Sequence, residues 1–259
     1  MSNFILGVKS YLSTPYALTK LAYYKLMTIV MRRKWGWIDD SVYDNKKVIV
    51  VGPASSSLSY MSGTEIDDFD IIVRINKSPI TIKNNERLIG SRTDILYHCC
   101  DENSITGGGP LNIELIKAQQ TKFVVYTYAD KNVAYNFYKS VLRHPKIKFV
   151  KVNADFYKSL RSRYKSKMPT TGLQALNHVL NSNFKELHIT GFTFFKTPYA
   201  NGYRDEYQSA EQATRLATSR GNHDPKDELR LFKEIYCCVK PCRNIKLDSE
   251  LSSLLGYDV

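Results

Sequence analysis

Two threonines and a glycine stand where a helix is predicted to begin. Residues 169–180 read PTTGLQALNHVL, and their apolar positions are spaced for one buried helix face. The first N–H groups of a helix have no partner inside it, so these groups and the hydroxyls of Thr170 and Thr171, beside Gly172, can bind a phosphate or carboxylate. An ordinary threonine N-cap is the alternative interpretation.

A histidine precedes a second predicted helix, in the segment HDPKDELRLFKEI. Pro225 suits the first turn of this helix, Asp224 can cap it, and Glu228 lies in its first turns. His223, just before the helix, has a side chain suited to general-base catalysis near neutral pH. A histidine in a surface loop is the alternative interpretation.

A third segment, VIVVGPASSSL, leads from a β-rich run into a glycine and three serines. Gly52 permits a tight turn, and the backbone N–H groups and hydroxyls of Ser55, Ser56 and Ser57 could hold a phosphate. The segment matches neither the dinucleotide-binding fingerprint nor the P-loop. An ordinary strand–turn–helix junction would have the same appearance.

The acidic segment IDDFDIIVRIN raises the question of a metal ion. Asp68 and Asp70 have the DxD spacing that binds a divalent metal in many nucleotide-sugar transferases, and Asn76 ends the predicted strand with a polar amide. Aspartates at a turn and a structural ion pair explain the pattern better. We therefore predict no metal site and no cofactor.

The elements that must position these residues alternate between strand and helix. Six β-rich runs are predicted at residues 47–52, 70–76, 93–98, 122–128, 147–152 and 186–192. Helix-like segments lie between most of them. This alternation predicts an α/β fold with a Rossmann-like, mostly parallel sheet flanked by helices, whose ligands bind beyond the carboxyl ends of the strands.

The first 45 residues differ from the rest, which we predict to form one catalytic domain over residues 46–259. The first 38 contain no acidic residue, and their basic residues alternate with aromatic and aliphatic ones. This composition suits a helix on an anionic membrane surface, or equally a helix packed on the domain. No apolar run is long enough to span a membrane.

The bulk composition restricts the partners and the compartment. A net charge of +12 favours anionic partners. The basic residues are spread along the chain and no nucleic-acid-binding motif occurs, so we do not expect nucleic acid to be a partner. Five cysteines without a signal peptide indicate reduced thiols and a cytoplasmic protein.

Four of these segments together resemble the sialyltransferases of glycosyltransferase family 29. Residues 48–98 are similar to the long sialyl motif, residues 169–192 to the short motif, residues 197–207 to the third motif and residues 223–235 to the very short motif. Their order and spacing also fit. The resemblance implies a variant GT-A-like domain, from a bacterial or viral member that acts at the cytoplasmic membrane face.

The resemblance also implies a reaction. The enzyme would move sialic acid from CMP-sialic acid to a hydroxyl of a glycan or glycolipid, with inversion and without a metal. His223 would be the base, and Glu228, five residues later in the same segment, would be the second catalytic residue. The helix start at Thr170, Thr171 and Gly172 would bind the donor carboxylate or part of the CMP. Further donor-binding residues would be Gly52, Ser55, Ser56, Ser57, Asn76, Gly191, Phe192, Tyr199 and Tyr203.

Departures from the family pattern leave alternatives open. Pro53 replaces the usual asparagine after the first glycine, and the histidine of the third motif is missing, so Tyr199, Tyr203 or Arg204 would supply the donor on the phosphate side. CMP-Kdo is the alternative donor, because it is also a CMP-activated 2-keto acid. A metal-dependent transferase using Asp68 and Asp70 is the alternative mechanism.

Overall fold

The computed structural model describes residues 14–105, 107–219 and 221–257. Its sheet is formed by β1 (Gly36–Trp37), β2 (Lys47–Val51), β3 (Ile71–Ile75), β4 (Ile95–Tyr97), β5 (Phe123–Tyr126), β6 (Phe149–Lys151), β7 (Glu186–Thr190) and β8 (Ile245–Leu247). The strand order is β1-β6-β5-β4-β3-β2-β7-β8, and every pairing is parallel. The prediction of an α/β fold with a parallel sheet is confirmed.

Helices cover the sheet and connect its strands. They are α1 (Pro15–Val30), α2 (Gly63–Asp67), α3 (Glu86–Ile89), α4 (Ile113–Ala118), α5 (Ala134–Arg143), α6 (Ala154–Arg163), α7 (Thr171–Leu180), α8 (Ala210–Thr218), α9 (Pro225–Val239) and α10 (Ser249–Leu255). Short 3-10 helices occur at Asp40–Tyr43, Ser55–Ser59, Ser78–Asn84 and Lys240–Cys242. No helix among the described residues combines the length and the hydropathy that crossing a bilayer requires.

The central strands are apolar on both sides because both faces of the sheet are covered. In β2, Val48 and Val50 belong to the core beneath α7 and α9, whereas Ile49 and Val51 belong to the core on the opposite face. Successive strand side chains point to opposite faces, so a strand buried on both sides reads as a continuous apolar run. All six predicted runs are strands for this reason.

The strand order reverses at β2, which pairs with β3 on one side and with β7 on the other. The two chain segments leaving β2 and β7 approach closely here, since a Cβ built on Gly52 would lie 2.3 Å from the carbonyl oxygen of Gly191. A reversal of this kind opens a crevice beyond the carboxyl ends of the strands.

The described part of the N-terminal segment packs on the same sheet. β1 pairs with β6 through Gly36 and Val150, and Tyr43 is buried in the core with its hydroxyl 2.9 Å from that of Tyr97. Residues 1–13, which belong to the predicted membrane-associated segment, lie outside the described residues.

Candidate active site

A cavity of about 310 Å³ opens beyond the carboxyl ends of the central strands. Its volume is within the range of small-molecule sites. Ten of the residues predicted from the sequence line it together: Asn76, Thr170, Thr171, Gly172, Gly191, Phe192, Tyr199, Tyr203, His223 and Glu228. Residues as far apart in the chain as Asn76 and Glu228 thus share one cavity.

His223 is held in a defined tautomer. Its Nδ1 lies 2.9 Å from the carbonyl oxygen of Met168. A carbonyl oxygen can only accept a hydrogen bond, so Nδ1 carries the hydrogen and Nε2 keeps the lone pair. Burial lowers the pKa of His223 below the usual 6.5. The ring is therefore neutral at physiological pH and able to accept a proton at Nε2.

Glu228 holds the start of α7. Its carboxylate accepts hydrogen bonds from the Thr170 N–H at 2.7 Å, the Thr170 hydroxyl at 2.6 Å and the Tyr164 hydroxyl at 3.1 Å. Burial raises the pKa of Glu228 to about 7, and these hydrogen bonds counteract the shift only in part. The side chain connects the first turn of α9 to the first turn of α7.

The tip of α7 combines a cap with unpaired donors. Thr170 Oγ1 accepts a hydrogen bond from the Leu173 N–H, as an ordinary N-cap does. Within the described part of the chain, the N–H groups of Thr171 and Gly172 have no hydrogen-bond partner. The cap and the anion site are therefore compatible interpretations of one helix start.

Small and aromatic residues shape the space around this tip. The Thr171 hydroxyl lies 3.0 Å from that of Tyr128, and both residues are buried. A Cβ on Gly172 would lie 3.2 Å from the ring of Phe192. The glycine therefore lets the Phe192 ring pack directly against the helix tip.

Two tyrosines and an arginine also line the cavity, and a lysine lies close to one of the tyrosines. The rings of Tyr199 and Tyr203 are 5.0 Å apart, and Lys77 Nζ lies 5.5 Å from the centre of the Tyr203 ring. Arg204 is buried and donates hydrogen bonds to the carbonyl oxygens of Ile105 and Gly107. This part of the cavity has the positive charge and hydroxyl donors that suit a phosphate.

Four of the predicted donor-binding residues do not line the cavity. Gly52 packs against Gly191, Ser56 Oγ donates to Asp248 at 3.0 Å, and Ser57 Oγ donates to the Ala54 carbonyl at 2.9 Å. Ser55 donates its N–H to the Pro198 carbonyl. The 3-10 helix Ser55–Ser59 directs these groups into the protein, and Pro53 and Ala54 face the cavity instead.

The aspartates of the DxD pattern lie near the amino-terminal end of β3, away from the cavity. Asp70 precedes β3 and accepts the Lys47 N–H, whereas Asn76 follows β3 and lines the cavity. A strand rises about 3.3 Å per residue, so Asp70 and Asn76 are roughly 20 Å apart. Among the described residues, no cluster of three or more His, Cys, Asp or Glu side chains is arranged to hold a metal ion.

Several cavity residues were not predicted. Tyr128 lies just beyond the carboxyl end of β5, where its position at the end of an apolar run was a usable signal. Phe194 and Phe195 follow β7 with φ values of 50° and 65°, a conformation that bulky residues rarely adopt. No local sequence pattern marks such strain, because surrounding contacts must impose it.

Comparisons with known proteins identify the family and the fold. The model of glycosyltransferase family 29 (sialyltransferase) matches residues 20–237. No curated protein shows significant sequence similarity to the chain. A variant of the sialyltransferase CstII from Campylobacter jejuni, solved with CMP, has a TM-score of 0.52 at 15% identity, over 82% of this chain and 86% of that chain.

Two further solved structures share the fold. CstII with a trisaccharide acceptor and CMP has a TM-score of 0.51 at 15% identity, over 82% of this chain and 86% of that chain. A mammalian sialyltransferase with Gal-beta-1-3GalNAc-ortho-nitrophenol has a TM-score of 0.50 at 16% identity, over 90% of this chain and 85% of that chain. Because the family model covers most of the sequence, the chain belongs to glycosyltransferase family 29, the sialyltransferases, and is a glycosyltransferase.

Proposed function

We propose that this enzyme transfers sialic acid from CMP-sialic acid to a hydroxyl of a glycan, with inversion and without a metal ion. The observation that carries the proposal is that His223 and the unpaired N–H groups at the tip of α7 line one cavity. A base and an anion site in one cavity are what transfer of a negatively charged sugar requires.

A side chain or backbone group of this chain can be assigned to each step of the proposed reaction. The N–H groups of Thr171 and Gly172, together with the Thr171 hydroxyl, bind the donor carboxylate at the positive end of the α7 dipole. His223 removes the proton of the acceptor hydroxyl, whose oxygen attacks the anomeric carbon from the face opposite CMP. The bond to CMP breaks, and Tyr199, Tyr203 and Arg204 stabilise the charge on its phosphate.

Membership of the sialyltransferase family supports the proposed donor and acceptor. CstII has been solved with CMP and with a trisaccharide acceptor, and the mammalian enzyme with a disaccharide derivative. We therefore infer a CMP-sugar donor and a glycan or glycolipid acceptor, at the cytoplasmic face of a membrane. CMP-Kdo is the second candidate donor, since its carboxylate would suit the same helix tip.

Two observations support a metal-independent reaction. Asp70 precedes β3, at the end of that strand away from the cavity, and Asp68 lies two residues earlier at the end of α2. Tyr199, Tyr203 and Arg204 line the cavity, with Lys77 Nζ 5.5 Å from the centre of the Tyr203 ring, and these groups would act on the leaving phosphate in place of a metal ion. Turnover that a chelator abolishes and manganese restores would contradict this part of the proposal.

A nucleotide panel tests the proposed donor. We expect CMP to raise the melting temperature of the protein more than UMP, GDP or ADP at equal concentration, because binding to the folded state stabilises it. Turnover of CMP-sialic acid and CMP-Kdo, measured with chelator present, then identifies the sugar. Equal stabilisation by all four nucleotides would contradict a cytidine donor.

The substitution Thr171→Val tests the carboxylate site. We expect it to weaken binding of CMP-sialic acid by about tenfold and to leave binding of CMP nearly unchanged, because it removes the hydroxyl that would donate to the carboxylate and leaves the Tyr128 hydroxyl without that partner. Thr64→Val, at an exposed threonine of α2, is the matched control. Equal affinities of Thr171→Val and the parent protein for CMP-sialic acid would refute this assignment.

A further inference from the structure

Helix α1 is apolar on two opposite sides. Ala17 and Thr28 are buried, and Leu21 and Tyr24 pack against the core that contains α5. The other side, which we call the outward face, consists of Leu18, Ala22, Tyr23, Leu26, Ile29 and Val30, and the hydroxyl of Thr19 among them donates to the Pro15 carbonyl of the same helix. All six are exposed, and Ile29 keeps 74% of its surface accessible. The described residues therefore leave this face without a packing partner.

Basic residues border the outward face. A helix turns about 100° per residue, which places Lys20 and Lys25 on opposite margins between the inward and outward faces. Arg32, Arg33 and Lys34 follow the helix, and the first 38 residues contain no acidic residue. An exposed apolar strip between two cationic margins matches the interface of an anionic bilayer, where apolar groups meet acyl chains and cations meet phosphates.

The charge argues against a second copy of this chain as the partner. Two outward faces packed together would bring their lysine and arginine margins into proximity, with no acidic residue of the first 38 to compensate them. Like charges across an interface oppose association. An anionic lipid surface neutralises the same margins.

The start of α1 is close to the cavity. The Thr14 N–H donates to Asn132 Oδ1 at 3.0 Å, and the neighbouring residue Val133 lines the cavity. Asn136, in the first turn of α5, lines it too. The helix that carries the outward face is thus attached beside the candidate active site.

We propose that the outward face of α1 inserts into the interface of an anionic bilayer and thereby holds the cavity beside an acceptor glycan carried on a lipid. The last part of this inference rests on the proposed function. The membrane-binding role of the outward face is inferred independently, from its exposed apolar residues and its basic margins.

Vesicle binding by the full chain tests the surface. We expect flotation with vesicles of phosphatidylcholine and phosphatidylglycerol, and at least tenfold weaker flotation with phosphatidylcholine alone. The double substitution Leu26→Gln and Ile29→Gln should weaken binding to the anionic vesicles by about tenfold or more, because it removes apolar area that enters the interface.

Matched controls separate the face from general hydrophobicity and charge. Leu88→Gln changes an exposed leucine of α3, and we expect unchanged flotation. Arg32→Gln with Lys34→Gln should weaken binding to anionic vesicles at least several-fold, whereas Lys146→Gln with Lys185→Gln, also exposed lysines, should have less effect. Flotation that is insensitive to the Leu26 and Ile29 double substitution would overturn the proposal.

Further readouts distinguish the remaining outcomes. Sedimentation velocity without lipid should give a monomer, and a dimer that the Leu26 and Ile29 substitutions dissociate would assign the face to self-association and refute the proposal. A CMP-induced thermal shift equal to that of the parent protein would show that the double variant is folded. Vesicle binding without any CMP shift would refute the proposed function and leave the surface intact.

Discussion

At the scale of single residues, His223 is the group whose removal should affect the chemical step most directly. Its Nδ1 is occupied by the Met168 carbonyl, so Nε2 is the nitrogen that can accept a proton. We expect His223→Ala to lower turnover by about 100-fold or more, the usual contribution of a general base. Steady-state kinetics with CMP-sialic acid check this loss.

Two further measurements define the role of His223. The CMP-induced thermal shift of His223→Ala should equal that of the parent protein, because the base acts on the acceptor and not on CMP. Because the pKa of His223 is lowered from 6.5, turnover of the parent protein should fall through protonation of this base only below about pH 6.5. Turnover of His223→Ala near the parent rate would remove this residue from catalysis.

Glu228 should make stability depend on pH. Its pKa is about 7 in the folded protein and about 4.5 in the unfolded chain. The folded state therefore binds the proton more tightly, and the stability that protonation contributes is complete below pH 4.5 and lost as pH rises to about 7. We expect Glu228→Gln to become progressively more stable relative to the parent protein across this window.

Denaturant unfolding of both proteins from pH 4.5 to pH 7 measures this difference. The comparison cancels contributions of other groups, such as Glu102 and Glu186, whose lowered pKa values of about 2 place their titration below this window. A stability difference that is constant across the window would contradict the raised pKa of Glu228.

At the scale of elements, the close approach of the chain after β2 and β7 explains why both positions are glycine. Gly191 has φ of 76°, and a Cβ there would lie 2.6 Å from the Gly52 carbonyl oxygen. We expect Gly191→Ala to lower the free energy of unfolding by about 2 to 4 kcal/mol through backbone strain and overpacking. Denaturant unfolding measures the loss.

Gly36→Ala is the control for this prediction. Gly36 is in β1, and a Cβ there would meet no atom within 4 Å. We expect a change within about 0.5 kcal/mol, as for an ordinary surface substitution. Equal losses for the two variants would show that the contact between the turns after β2 and β7 has no special role.

The predictability of the elements follows from their environment. The six central strands were predicted because burial on both faces leaves a continuous apolar run, as in β2 and β3. β1 and β8 were not, because they are two- and three-residue edge strands with exposed positions. Such short edge strands form because they pair with a neighbouring strand, and their own sequences carry no apolar pattern that would reveal them.

At the scale of the whole molecule, Asp248 joins distant parts of the chain. One carboxylate oxygen accepts from Ser56 Oγ at 3.0 Å, Thr190 Oγ1 at 2.9 Å and the Gly191 N–H at 2.8 Å, and the other caps α10 through the Leu251 N–H. This side chain connects α10 to the turns after β2 and β7, which form the floor of the cavity.

We expect Asp248→Asn to lower the melting temperature by about 5 to 10 °C. The asparagine amide would either direct an N–H group at the existing donors or rotate and lose some of their hydrogen bonds. Either change should cost about 2 to 3 kcal/mol of stability, and each kcal/mol lowers the melting temperature by a few degrees in a chain of this size. Calorimetry checks the value. As a control, Asp155→Asn at an exposed aspartate of α6 should change the melting temperature by less than about 2 °C. Equal effects of Asp248→Asn and Asp155→Asn would refute the role of Asp248 in connecting distant parts of the chain.

Local patterns of residues were enough to predict the α/β class, the helix starts at Thr170 and Asp224, the family and the candidate base His223. These properties depend on patterns within a few residues: apolar periodicity, capping and motif spacing. The hydrogen bonds from Ser56 to Asp248, 192 residues away, and from Thr170 to Glu228 could not be predicted and depend on the folded arrangement of the chain. A polar side chain chooses its partner among groups that only folding brings together, so local pattern identifies the donor but not its acceptor.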